Sequence, residues 1–150
     1  MLKLIRTDSD NADFQALVAL LDRELRARDG EEHAFFAQFN KIDSIRHVIV
    51  AYSNDDAVGC GAFKPFEDSA VEIKRMFVRP EHRGQRIAEK VLNELERWAN
   101  ELNHTHCVLE TGQKQPEAIR LYQRSGYAVI PNYGQYIGVE NSICMKKKIP

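Results

Sequence analysis

The stretch Arg79-Pro80-Glu81-His82-Arg83-Gly84-Gln85-Arg86-Ile87-Ala88 joins an apolar strand to the most regular helix of the chain, and its reading decides the fold. A helix start leaves about four backbone N–H groups without an intrahelical partner. Those donors and the helix dipole together make an anion site. Gly84 lets the backbone come close to a ligand, Arg83 and Arg86 add positive charge, and Ala88 leaves room at the start of the helix. Taken alone, the string also describes a basic surface turn. Two rival phosphate motifs are absent, since the chain has neither Gly-x-Gly-x-x-Gly nor Gly-x-x-x-x-Gly-Lys-Ser/Thr.

Working outward, Val71, Ile73 and Phe77 alternate with Glu72, Lys74 and Met76 in a strand that stops at Pro80. On the other side, Ile87, Ala88, Val91, Leu92, Leu95, Trp98, Ala99 and Leu102 form one apolar stripe of an amphipathic helix. Cys107-Val108-Leu109 reads as a buried strand. Pro116 suits a first helical position, and Gly126 ends that helix after Ser125. Residues 127–130 and 142–147 are two last strands around a Pro/Tyr/Gly loop. Toward the N-terminus, residues 2–7 alternate as a strand, and Asp8-Ser9-Asp10 offers N-caps for a helix carrying Phe14, Leu17, Val18, Leu21 and Leu25. A shorter helix spans Glu32 to Asn40. Strands at 46–53 and 57–64 are joined by the hairpin composition Asn54-Asp55-Asp56. The order βααβββαβαββ predicts a mixed α/β fold, with about seven strands flanked by four helices in a single domain over residues 1–150.

At 150 residues, 43% hydrophobic and 29% charged, the chain has the composition of a soluble domain. A net charge of −1 gives no reason to expect nucleic acid or an anionic membrane as partner. The N-terminus turns polar too soon for a signal peptide, and no apolar run approaches the roughly 18 residues of a membrane span. Cys60, Cys107 and Cys144 are odd in number and sit in apolar stretches, so they read as reduced core thiols of a cytoplasmic protein.

Arg83-x-x-Arg86-x-Ala88 resembles the signature Arg/Gln-x-x-Gly-x-Gly/Ala of the GNAT N-acetyltransferases. It follows Glu72-Ile-Lys-Arg-Met-Phe-Val78, which resembles that family's fourth strand. Leu109-Glu-Thr-Gly112 and Gln115-Pro-Glu-Ala-Ile-Arg-Leu-Tyr122, closed by Gly126-Tyr127, resemble its fifth strand and fourth helix. The resemblance covers essentially the whole chain, with one departure: Arg86 stands where the middle glycine is usual. It implies the GNAT acyl-CoA N-acyltransferase fold, a mostly antiparallel sheet splayed between strands 4 and 5. Acetyl-CoA would lie in the cleft as co-substrate without a metal. Its pantetheine arm would pair with Met76, Phe77 and Val78, and its diphosphate would meet the amides of Arg83, Gly84, Gln85, Arg86, Ile87 and Ala88.

Acetyl transfer from a thioester needs a neutral amine, a stabilised oxyanion and a proton for the departing thiolate. The resemblance makes Tyr122 the general acid near the sulfur, against a plain reading as a core aromatic beside Leu121. It makes Glu72 the base, against an exposed carboxylate paired with Lys74 or Arg75, with Glu110 as second candidate. The oxyanion donor is expected from a backbone N–H near Met76. Tyr133 and Tyr136, on the loop between the last two strands, and the segment around His33 and Phe36 are expected to wall the acceptor, against ordinary loop packing. Arg75 and Lys74 hint at an acid-bearing amine such as an amino acid.

The cluster His104-Thr105-His106-Cys107 lacks a second group at metal-ligand spacing, no cysteine has a readable histidine–acid partner, and Lys146-Lys147-Lys148 reads as a solvated strand. The expectation is therefore a direct N-acetyltransferase acting on a small-molecule amine, with a homodimer possible. The alternatives are a catalytically weak acyl-CoA-binding sensor and an acetyltransferase for protein lysines or N-termini.

Overall fold

A computed structural model describes residues 1–30, 44–67 and 69–150. Strands β1 (Leu2–Thr7), β2 (His47–Ser53), β3 (Asp56–Glu67), β4 (Ala70–Val78), β5 (His106–Gly112), β6 (Ala128–Ile130) and β7 (Ser142–Lys148) form one seven-stranded sheet in the order β1-β2-β3-β4-β5-β7-β6. All neighbours are antiparallel except β4 and β5, which run parallel. Among the described residues three α-helices accompany the sheet: α1 (Ala12–Asp29), α2 (Ile87–Glu101) and α3 (Pro116–Arg124). The mixed α/β fold with a mostly antiparallel seven-stranded sheet is therefore as expected. The anticipated helix Glu32 to Asn40 lies outside the described residues.

Period-two alternation assigns the helices to faces. In β2, Val48 and Val50 pack with Phe14, Leu17, Val18 and Leu21 of α1. Their neighbours Ile49 and Ala51 join Val91, Leu92, Leu95 and Ala99 of α2 on the other side. The β2–β3 hairpin turns through Asn54 (φ 50°) and Asp55 (φ 77°), residues that tolerate the left-handed conformation such a turn needs. The cap of α1 differs from expectation. Asn11 accepts from the Phe14 amide at 2.9 Å, because Asp8 is engaged by the Asp10 amide and Ser9 by the Ile45 amide.

Glu96 lies buried on the apolar side of α2. It accepts from the Tyr127 hydroxyl at 2.8 Å and from Lys147 Nζ at 2.8 Å. That satisfies a carboxylate that would otherwise be costly to bury, and it ties α2 to β7 and to the start of the β6 hairpin.

Two irregularities in β4 shape everything that follows. Its parallel pairing with β5 ends after Ala70–His106, Val71–Cys107 and Glu72–Val108. Against β3, Phe77 faces Cys60 while Lys74 faces Ala62, so Arg75 and Met76 together oppose Gly61 in a β-bulge. Arg75 takes φ 60° there. A Cβ on Gly61 would lie 2.5 Å from Met76 Sδ and 2.9 Å from both Leu95 Cδ1 and Val91 Cγ1, so only glycine lets α2 sit this close to the bulge. Gly61→Ala should therefore destabilise the fold by about 1–3 kcal/mol, the usual cost of overpacking. Urea unfolding checks this, and an unchanged midpoint would mean that α2 shifts freely.

Candidate active site

Among the described residues, no strand lies beside the β5-facing edge of β4 beyond Glu72, and α3 and the turn before α2 complete a trough along it. The trough has a volume of about 540 Å³. Met76, Phe77, Val78, Ala118 and Leu121 line its apolar wall, and His82, Arg83, Arg86 and Arg124 lie toward its basic end. The connecting turn begins as a short 3-10 segment, Pro80–His82. Gly84 follows at φ 84°, where glycine is favoured, and Arg86 at φ 63° serves as N-cap without a side-chain cap bond. The N-cap side chain thus does not satisfy the first-turn amides of α2, on a helix start that lines the trough.

Arg83 and Arg86 are used differently. Arg83 donates to the Val78 carbonyl at 2.9 Å, stacks its guanidinium over Phe77, and pairs with Glu24 of α1 at 2.7 Å. Its side chain braces the turn to β4 and α1. The Arg86 side chain is 77% exposed and, among the described residues, pairs with Glu89 at 3.6 Å.

At its inner end the trough meets a smaller cavity of about 120 Å³. Leu21, Met76, Gln115, Ala118 and Tyr122 line both spaces. Tyr122 is almost fully buried where they join. Burial, with a further push from Glu110, raises its hydroxyl pKa above the ordinary phenol value, so it keeps its proton at neutral pH. Glu72 lines the small cavity and accepts a 2.7 Å bond from the Tyr133 hydroxyl. Glu110 faces the same space and accepts from Ser142 Oγ at 2.7 Å. Tyr136 is buried at its border, and Tyr133 packs edge-on against Tyr136 and Phe66.

The structure therefore brings Tyr122, Glu72, Glu110 and Tyr136 to one cavity, with Tyr133 bonded to its carboxylate. Met76 and the turn lie along the trough. Arg75 also borders the cavity, but its guanidinium donates to Asp22 of α1 at 2.9 Å, which fastens the bulge. His33 and Phe36 lie outside the described residues. Sequence reasoning missed Asp22, Glu24 and Arg28, whose spacing on α1 reads as an ordinary charged face, and gave Gln115 no role beyond opening the motif that resembles the fourth helix. Among the described residues, no group of three or more His, Cys, Asp or Glu is placed to hold a metal ion, and no helix is long and apolar enough to cross a membrane.

A splayed β4–β5 pair, a bulged β4 and a phosphate-type turn before α2 define the acyl-CoA N-acyltransferase class. Residues 14–127 match the acetyltransferase (GNAT) family. The chain belongs to that family. It is 35% identical over 102 residues to an IAA acetyltransferase of Azospirillum brasilense, covering 67% of each chain. For other curated relatives the matched part falls to 37% of their length. A solved Klebsiella pneumoniae structure, described as a candidate acyl-CoA N-acyltransferase, superposes with a TM-score of 0.84 at 31% identity, over 100% of this chain and 99% of that one. The PaiA N-acetyltransferase of Thermoplasma acidophilum, solved in complex with coenzyme A, shares the fold at 15% identity with a TM-score of 0.73 over 99% of each chain.

Arg86 occupies a left-handed position at a cost of about 1 kcal/mol for a residue with a Cβ. Arg86→Gly should leave stability equal or up to about 1 kcal/mol higher. It should also change the Kd for coenzyme A by less than about threefold, a difference of under 1 kcal/mol. Calorimetric titration and thermal melts check both, and a tenfold weaker Kd would give the guanidinium a phosphate contact after all.

Proposed function

We propose that the chain transfers an acetyl group from acetyl-CoA directly to the primary amine of a small molecule. The observation that carries this reading is the meeting of the long trough and the small cavity at Tyr122, with Glu72 and Glu110 on the far side. The trough suits coenzyme A in its chemistry. An unpaired strand edge serves an amide-bearing arm by strand addition, an apolar wall serves its methylenes, and a helix start with free amides serves a diphosphate. Met76, Phe77 and Val78 would hold the arm, and Gly84 to Ala88 the phosphates.

Bound acetyl-CoA supplies an activated thioester at the junction. Glu72, oriented by the Tyr133 hydroxyl, takes the proton that the attacking amine must lose, and Glu110 offers a second carboxylate. The bulge at Arg75 and Met76 breaks the β-ladder beside the junction and leaves a backbone N–H to serve the oxyanion. Tyr122, held protonated by burial, supplies the proton for the departing sulfur. Burial also pushes the Cys60 and Cys107 thiols up to about 12 and raises that of Cys144, which supports direct transfer over a covalent acyl-cysteine route. A cavity of about 120 Å³ supports a small amine over a lysine presented by a folded protein.

The test is release of CoA thiol across a panel of amines and amino acids. Tyr122→Phe and Glu72→Gln should each lower kcat by about 10²-fold, the scale of a lost general acid or base, with melting temperatures near wild type. Tyr133→Phe should cost less, because it removes only the group that orients Glu72. Unchanged turnover in either of the first two variants would remove that residue from the chemistry. Tight binding of coenzyme A with no turnover on any amine would replace the transferase reading with a sensor.

A further inference from the structure

Resting on that acyl-CoA reading, a primary amine is already present in the cavity. Lys74 lines it together with Glu110, Met76 and Tyr122. Its side chain is only 11% exposed, and its Nζ lies 3.9 Å from Glu72 Oε1. Glu110 attracts it from the second carboxylate position, while Lys64 and the neighbouring Arg75 repel it. Arg75 itself is directed away to Asp22. The Lys74 ammonium thus sits in the field of the two carboxylates that an acceptor amine would need. Met76 and Tyr122 belong to this cavity and to the cofactor trough alike, so the lysine shares one continuous space with the expected acyl group.

We propose that Lys74 is an internal acetyl acceptor, modified by acetyl-CoA bound to its own chain when no amine substrate is present. Nζ first gives its proton to Glu72, from which it passes to solvent. The freed lone pair then forms the N–C bond to the acyl carbon, and the nitrogen gives up its second proton to the re-ionised Glu72 as the tetrahedral adduct collapses to the amide. The C–S bond breaks with its electron pair leaving on sulfur, which Tyr122 protonates and solvent re-protonates in turn. The products are Nε-acetyl-Lys74 and CoA, with no change of oxidation state. Burial is the largest influence on the Lys74 amine and lowers its pKa, which enlarges the neutral, nucleophilic fraction relative to a solvated lysine. Acetylation removes a positive charge from the cavity and enlarges a side chain inside it. The modified chain should therefore turn over external amines more slowly.

The experiment incubates purified full-length protein with acetyl-CoA and no amine, then reads intact mass and peptide maps. One acetyl group per chain on Lys74 is expected, matched by one equivalent of CoA thiol. The exposed Lys146 and Lys148 should show only the level found in a chain denatured beforehand, and Lys74→Arg should abolish the added mass. Glu72→Gln should slow the modification. An amine that is a good substrate should suppress it, which a merely accessible lysine would not show. If Lys74 stays unmodified, or is acetylated no faster than Lys146, the inference is overturned. In that case continued turnover of the amine panel leaves the transferase reading intact, whereas absence of acetyl-CoA binding by calorimetry brings down both.

Discussion

The site depends on β4 parting from both of its neighbours within a few residues. On one side its pairing with β5 stops after Glu72, and on the other a bulge at Arg75 and Met76 interrupts its ladder with β3. A regular strand here would bury its edge against β5 and leave neither trough nor cavity. An unpaired edge is normally a liability because it invites another strand. In this protein α3 and the turn before α2 flank it, which leaves a trough suited to a narrow, extended ligand such as the proposed amide-bearing arm. The bulge has its own cost, a non-glycine residue at φ 60°. The Arg75–Asp22 pair helps offset that cost by fixing the strained residue to α1.

At the basic end of the trough Arg83 is already engaged in a chain of ion pairs. Arg83 pairs with Glu24 at 2.7 Å, Glu24 with Arg28 at 3.1 Å, and Arg28 with Glu117 at 3.7 Å. This chain of ion pairs links the phosphate turn, α1 and α3. Pairs of such partial exposure are each worth about 0–1 kcal/mol. A diphosphate, which forms stronger charge-assisted bonds, could reorganise them at small cost. The proposed anion-binding element is therefore the backbone of the turn, with Arg83 bracing its shape.

Much of this frame was legible in the sequence because it rests on local rules. Alternation located the strands, Pro116 and Gly126 bounded α3, and Asn54-Asp55 marked the hairpin, each through a backbone preference that acts without tertiary help. The cap of α1 escaped because Asp8, Ser9 and Asn11 are all competent caps and only their tertiary partners choose among them. In the site, Glu72 and Tyr122 emerged through resemblance to a family, not through spacing. The different fates of Lys74 and Arg75 were not legible at all. The bulge that turns Arg75 to Asp22 is written in no preference of arginine for positive φ, and its one trace is the glycine opposite, Gly61.

The duty proposed for Tyr122 requires exact placement from a short helix. The Tyr127 amide donates to the Tyr122 carbonyl at 2.9 Å, and the two rings meet edge-on at 5.9 Å. Tyr127 is in turn held by Glu96, which Lys147 also holds. A buried ion pair of this kind adds little net stability, since desolvation consumes most of the attraction. What it supplies is direction: the Tyr127 ring has one orientation that satisfies Glu96, and Tyr122 packs against that orientation. Because Glu96 belongs to α2, the helix whose first turn lines the outer part of the trough also supports, two turns further on, Tyr122 at its junction with the small cavity. The two ends of the trough are thus set by one rigid element. In the proposed reading, the distance between a diphosphate at the turn and a thioester at Tyr122 would be set in part by α2.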